Sequence, residues 1–379
     1  MEGVSLNSLR SYARISRDRI ARNYRAVRAA AGPGVEVLGV VKADAYGHGA
    51  VEVSRVLEAE GARWLAVSSV EEGVALRNAG IRARILVMGG ILKPEYEALA
   101  PFHLTPAVHA LEQIGELDAV AAQTGREIPY HLKIDSGLSR LGTREPVGDI
   151  LDAVRGARHA RLEGLMTHFA SPADYTSSQT DDQCREFGRV VSALRAAGVS
   201  AGYIHAASTN AIAYGRRDAF YNMVRPGHAI YGYVSPARGQ SPPPLFEVEP
   251  ALTWKAKILL TKDLPEGALV GYGGTFRTPR PMRIGVLAVG YADGMFHRLS
   301  NRGKVIAGGK LAPILGTVAM DLTTIDLTQA PDLRPGDDVT LLGREGDVSL
   351  DAQQIAKVAG TISYNILCSI SARVRRVYV

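Results

Sequence analysis

Behind Ser16, a side chain able to cap a helix, Ile20, Tyr24, Val27 and Ala31 recur at helical spacing, and the pattern stops at Gly32-Pro33-Gly34. This predicts an amphipathic helix over residues 16–31. From there, apolar runs that read as strands recur at 35–41, 64–68, 85–88, 103–107, 130–134, 162–167, 203–206 and 222–224, separated by stretches able to form helices. Eight strands alternating with helices predict an α/β fold, and favour a closed (β/α)8 TIM-like barrel over an open doubly wound sheet.

The pattern changes near residues 235–250, where Ser235-Pro236 and Ser241-Pro242-Pro243-Pro244 interrupt any periodicity. The triple proline reads as a stiff linker. Beyond it, short alternating runs at 252–260, 282–289, 304–306, 312–315, 322–326 and 338–342 are punctuated by Gly and Pro. The expected organisation is therefore a barrel domain at 12–240 followed by a mostly β C-terminal domain at 241–379.

Composition adds limits. The 379 residues exceed one average domain, and 46% hydrophobic with 22% charged residues is ordinary for a soluble globular chain. No apolar run approaches the ~18 residues of a membrane span. Residues 1–16 lack the apolar core of a secretory signal, so a cytoplasmic location is expected. Cys184 and Cys368 are too few for a disulfide framework and too far apart for a metal-ligand pair, and no metal site is expected. The net charge of +6 comes from scattered Lys and Arg without interleaved aromatics, which argues for small anions over nucleic acid.

Candidate chemistry concentrates where strands end. Lys42 closes the apolar run at 35–41 and is followed at once by Ala-Asp-Ala-Tyr46-Gly-His-Gly. A buried strand rarely tolerates an ammonium unless it is paired or its amine reacts, so Lys42 reads as a paired charge, a general base or a Schiff-base lysine. His168, Ser208, Thr209 and Arg225 also fall at the carboxyl ends of expected strands, with Lys133 and Asp135 nearby. Barrel active sites gather at that end. Singly, each residue has a structural reading: His168 as a satisfied core histidine, Tyr46 as a packing residue, Lys133 and Asp135 as a pair in the barrel wall.

The decamer Val-Val-Lys-Ala-Asp-Ala-Tyr-Gly-His-Gly at 40–49 resembles the cofactor-lysine signature of the alanine racemases, which use pyridoxal 5′-phosphate. A second match is His131-Leu-Lys133-Ile-Asp135-Ser-Gly137-Leu-Ser-Arg140-Leu-Gly142, and a third is Met223-Val-Arg225-Pro-Gly227-His228. Further matches are Gly271-Tyr272-Gly273-Gly274-Thr275, Gly290-Tyr291-Ala-Asp293-Gly294, Gly316-Thr-Val-Ala319-Met320-Asp321 and Tyr364 in Thr361-Ile-Ser-Tyr-Asn. The resemblance spans about Tyr12 to Tyr378 and implies the following roles. Lys42 binds the cofactor covalently and serves as one catalytic base, and Tyr272 is the other. Tyr46, Thr209, Gly227, His228 and Tyr364 contact the phosphate; His168 lies against the ring, and Arg225 faces the pyridine nitrogen. Arg140 addresses the cofactor phenolate oxygen or the substrate, Met320 addresses the substrate carboxylate, and Lys133 is the position that is often carbamylated and holds Arg140. The family usually has Asn-Ser at Ser208-Thr209, and cysteine where this chain has Ala319. Thr209 can still donate to phosphate, whereas Ser208 cannot reproduce an amide's reach.

The resemblance thus implies a homodimeric isomerase that interconverts L-alanine and D-alanine through a Schiff base with the cofactor, either supplying D-alanine for the cell wall or serving catabolism. A broader alanine/serine racemase, a barrel-type decarboxylase and a non-catalytic cofactor-binding protein are the alternatives. Arg225 speaks against the decarboxylase, whose families place a carboxylate at the ring nitrogen, and the second domain speaks against mere binding.

Overall fold

The computed structural model describes residues 8–379. The expectation drawn from residues 1–16 falls partly on residues 1–7, outside the described ones. Contacts group the chain into two compact units. One comprises Arg19–Ala45 and Ala50–Glu249; the other comprises the described residues up to Asp18, Tyr46–Gly49 and Pro250–Val379.

Strand β1 (Ser11–Ile15) leads into helix α1 (Arg17–Ala31), whose Ile20, Tyr24, Val27 and Ala31 are buried as their spacing requires. Eight strands then follow: β2 (Glu36–Val40), β3 (Trp64–Val67), β4 (Arg84–Val87), β5 (Leu104–Val108), β6 (Ile128–Lys133), β7 (Ala160–Met166), β8 (Tyr203–His205) and β9 (Met223–Val224). They pair in parallel, in the order β9-β2-β3-β4-β5-β6-β7-β8. Past β8 and β9 the edges meet through Arg225 N–H donating to Ala207 O at 2.9 Å, which nearly closes the barrel. The β3 burial is unbroken from Trp64 to Val67, as expected for a strand covered on both faces. Helices α2 (Ala50–Ala59) and α3 (Val70–Asn78) make the first two crossovers. The link from β4 to β5 carries only a 3₁₀ turn, Lys93–Ala98, opened by Pro94.

The other unit is mostly β. Its longest strand, Leu252–Leu264, alternates buried and half-buried positions over its first half and pairs antiparallel with β1, Met282–Leu287 and Asp338–Glu345. β1 also pairs in parallel with Arg375–Tyr378, so both ends of the described chain share one sheet. Short helices at Ala352–Ala359 and Ser363–Cys368 complete the unit.

Candidate active site

Lys42 leaves the barrel where β2 ends, and the backbone there is unusual. Ala43, Asp44, Ala45 and Tyr46 all have φ between 51° and 54°, a full left-handed turn made of L-residues. Each such residue costs roughly 1–2 kcal/mol, so the turn needs outside support. Ala45 N–H donates to Val41 O at 2.8 Å, Ala50 N–H donates to Asp44 Oδ1 at 2.7 Å, and Ala43 N–H donates to Glu72 Oε1 at 2.7 Å. The base of the turn is fixed too: Tyr231 Oη donates to Val40 O at 2.7 Å, and Val41 N–H donates to Ala66 O at 2.8 Å.

Arg225, just past β9, is 3% exposed. Its Nη1 donates to His205 O and meets His205 Nδ1, both at 2.8 Å, and its Nη2 donates to Thr167 O at 2.5 Å and Ala206 O at 3.0 Å. Burial pushes the guanidinium down to about 9, which leaves it charged at neutral pH. His168 Nδ1 lies 3.4 Å from Arg225 Nη2. Burial first, then the charges of Arg225, Lys133, Arg140 and Lys42, lower His168 to about 3, so its imidazole is neutral.

Behind Arg225 runs a buried polar column. His205 Nε2 lies 2.8 Å from His131 Nδ1, and His131 Nε2 lies 3.8 Å from Glu163 Oε2, which Arg84 holds at 2.5 Å. Hydrogen bonding and charge from these partners outweigh the burial that would raise Glu163, and its carboxyl falls to about 2. Sequence reasoning did not single out His131, His205 or Glu163. A signal existed, since His131 and His205 interrupt otherwise apolar strands.

Lys133 ends β6 at 4% exposure. Burial, then Arg140 and Arg225, lower its amine from 10.5 to about 8, against the opposing pull of Asp135. Asp135 Oδ1 accepts from the N–H groups of Gly137, Leu138 and Ser139 at 3.1, 2.9 and 3.0 Å, and Arg144 holds Oδ2 at 2.8 Å. That Asx-type turn shapes the loop carrying Arg140, which is exposed.

Thr209 is buried, and its Oγ1 accepts from Gly227 N–H at 3.1 Å and Ala229 N–H at 3.2 Å, leaving its own proton to donate. Ser208 stands one residue earlier, half-buried, in bridge register with Arg225. His228 is 1% exposed and stacks on Tyr233 with ring centroids 5.0 Å apart. The barrel unit thus brings Lys42, Lys133, His168, Ser208, Thr209, Arg225, Gly227 and His228 to one end of its strands. This donor set suits an anionic aldehyde cofactor: an amine for the aldehyde, hydroxyl and backbone N–H groups for a phosphate, and a fixed cation with a neutral imidazole for a ring.

The remaining candidates belong to the other unit. Tyr46 is buried, its phenol is raised by burial and then by Tyr364 and Cys368, and its ring centroid lies 6.0 Å from that of Tyr364. Tyr272 opens a short 3₁₀ turn and is 76% exposed; its carbonyl accepts from Thr317 Oγ1 at 3.1 Å. Met320 is 53% exposed. The Ala319 and Met320 carbonyls accept from Tyr291 and Ala292 N–H at 2.9 and 3.0 Å, an approach only glycine permits at Gly290, where a Cβ would sit 2.3 Å from both oxygens. Arg373 ties this segment down, 2.7 Å from Asp321 and 3.2 Å from Asp293.

A strand-end lysine beside a buried arginine and hydroxyl and backbone N–H groups in a parallel barrel is an arrangement suited to barrel enzymes that carry an aldehyde cofactor on a lysine. Residues 15–236 match the family model for Alanine racemase, N-terminal domain, and residues 251–378 that for Alanine racemase, C-terminal domain. The chain is 40% identical to an alanine racemase of Halothermothrix orenii over 94% of this chain and 93% of that one. It is 34% identical, with a TM-score of 0.90, to the alanine racemase of Bacillus anthracis solved with bound L-Ala-P, covering 98% and 95% of the two chains. The alanine racemase of Bartonella henselae, solved with covalently bound pyridoxal phosphate, gives 27% identity and a TM-score of 0.85 over 97% of this chain and 99% of that one. The chain belongs to the alanine racemase family and is an isomerase of that fold.

Proposed function

We propose that this protein interconverts L-alanine and D-alanine with pyridoxal 5′-phosphate, using Lys42 on one face of the substrate and Tyr272 on the other. The observation that carries the reading is the convergence of Lys42, the caged Arg225 and the neutral His168 at one end of the barrel. When bound, pyridoxal phosphate supplies an aldehyde and an electron-withdrawing ring that acidifies the α-proton of an amino acid. Residues 12–240 are the cofactor-binding domain and residues 241–379 contribute to the active site. Thr209 with the backbone of Gly227 and His228 holds the phosphate, joined by Tyr46 and Tyr364, while Ser208 lines the same end.

Arg225, charged at neutral pH, would face the ring nitrogen of a bound cofactor as a donor, and a guanidinium there would favour an unprotonated nitrogen. His168 supports Arg225 without adding charge. Racemisation removes the α-proton from one face and returns a proton to the other, and one rigidly held base cannot serve both. Lys42 Nζ moves the proton on one face and Tyr272 Oη on the other. Met320 binds the substrate carboxylate, and Arg140 addresses the substrate or the phenolate oxygen of the cofactor. A carbamate on Lys133, formed when its neutral Nζ adds to carbon dioxide and releases a proton, gives Arg140 an anionic partner. The working unit is a head-to-tail homodimer in which Tyr272 and Met320 act at the partner's site, a role that suits their exposure. Among the described residues no helix is long and apolar enough to cross a membrane. The expected setting is the cytoplasm, supplying D-alanine for the cell wall, with no nucleic-acid partner.

The test is to incubate the purified protein with L-alanine and follow D-alanine by chiral analysis, with carbon dioxide measured in parallel. D-alanine without carbon dioxide supports the reading. Carbon dioxide with ethylamine would assign a decarboxylase instead, and bound cofactor with neither product would leave a binding protein.

A further inference from the structure

Four successive L-residues do not hold a left-handed turn unaided, and the turn after Lys42 begins with an amide whose partner comes from another strand's crossover. Glu72 lies in the first turn of α3, where its own N–H donates to the N-cap hydroxyl of Ser69 at 3.4 Å. A glutamate at this position ordinarily reaches back to the N-cap amide. Here the carboxylate goes elsewhere and uses both oxygens: Oε2 accepts from Ser68 N–H and Oε1 from Ala43 N–H, each at 2.7 Å. Ser68 follows β3 and Ala43 follows Lys42, and β2 and β3 are paired neighbours with Val40 opposite Ala66. Glu72 therefore extends the β2–β3 pairing beyond the last strand residues, and it clamps the first residue of the left-handed turn to the end of the adjacent strand.

We propose that Glu72 is a positioning residue for Lys42: its two-oxygen clamp sets the start of the left-handed turn and thereby where the Lys42 amine stands. It acts through the backbone of Ala43 and touches neither substrate nor cofactor. The chemistry explains the choice of residue. Only a carboxylate offers acceptor oxygens to both amides; a glutamine can accept from one, and would turn its own N–H2 toward the other. The proposal rests on the reading that Lys42 carries the cofactor and one of the two protons.

The test uses the holoenzyme and its Glu72→Gln variant, with pyridoxal phosphate trapped on lysine by borohydride and the modified peptide counted by mass spectrometry. The kcat and KM for L-alanine are expressed per trapped Lys42, and amide exchange is followed in peptides covering 40–47 and 66–70. Misplacing a reacting group by about an ångström costs on the order of a hundredfold. The expected result is a kcat per trapped site lower by at least about tenfold, KM within about twofold, and faster exchange in one or both peptides. Less folded protein with normal kcat per trapped site would overturn the proposal by reducing Glu72 to a structural role. So would a fall in kcat with unchanged exchange. Glu72→Asp, which keeps the charge but is a methylene too short to reach both amides, gives the same readouts if the glutamine variant cannot be purified. Wild-type protein with no cofactor trapped on Lys42 would overturn the underlying reading, whereas normal trapping with a normal variant overturns only the role of Glu72.

Discussion

Replacing Arg140 by glutamine changes the charge environment of Lys133, and the consequence can be worked from the site. Burial is the first cause of the low Lys133 value and Arg140 is the largest charge contribution. Carbon dioxide adds only to a neutral amine. Lowering the amine from 10.5 to about 8 raises its neutral fraction at pH 7 by about 300-fold, to roughly a tenth of the population. Arg140→Gln removes a cation that both favours the neutral amine and would pair with the carbamate, so both effects reduce carbamate. The assay is carbon-13 NMR of protein equilibrated with labelled bicarbonate. The wild type is expected to show a carbamate resonance that is lost in Lys133→Met and is at least severalfold weaker in Arg140→Gln at the same pH. No labelled resonance in the wild type would refute carbamylation, and an unchanged one in Arg140→Gln would refute the role given to that cation.

In protein freed of cofactor, Thr209→Val leaves the buried N–H groups of Gly227 and Ala229 without their acceptor, at about 1–3 kcal/mol each, and should lower the melting temperature by several degrees while Thr209→Ser does not. Gly290→Ala puts a methyl group 2.3 Å from the Ala319 and Met320 carbonyls, so thermal unfolding should show a loss of about 1–3 kcal/mol or more, and KM for alanine should rise. Because His168 in the folded protein titrates near 3, the kcat profile should lack a limb from it between pH 5 and 8. Its folded value lies below the ordinary histidine value of 6.5, so the unfolded chain takes up the proton first and stability falls as pH drops from about 6.5 towards 3, a loss that His168→Phe should reduce in acid unfolding. Ser208 and Ala319 are smaller than the residues the family usually carries there, so chiral analysis should detect slow serine racemisation beside preferred alanine; none at all would mean that neighbouring side chains fill the space.

The barrel strands were legible because each is an apolar run bounded by turn residues, and the eight expected runs coincide with β2–β9 to within a few residues. The strand β1 was not, for a physical reason: Ser11–Ile15 is short, and its partners, Leu252–Leu264 and Arg375–Tyr378, lie more than 200 residues away, so its pairing leaves no local trace. The same holds for the turn after Lys42. Ala, Asp and Tyr carry no left-handed preference strong enough to announce four such residues, and the glutamate that helps hold them comes from another crossover. Lys42, Arg225 and Thr209 stood out at strand ends, but the bonds that cage Arg225 run through backbone carbonyls and the interior histidine His205, which a pattern of side chains cannot display.

The assignment of one proton carrier to each face is tested most directly by Tyr272→Phe, measured with α-deuterated L-alanine and α-deuterated D-alanine in separate reactions. If Tyr272 carries the proton on one face, removing its phenol should leave cofactor attachment and the equilibrium between enantiomers unchanged and slow proton transfer on that face only. The α-deuterium isotope effects in the two directions should therefore diverge from the wild-type pair. Identical effects in both directions, unchanged from the wild type, would contradict Tyr272 as the second base.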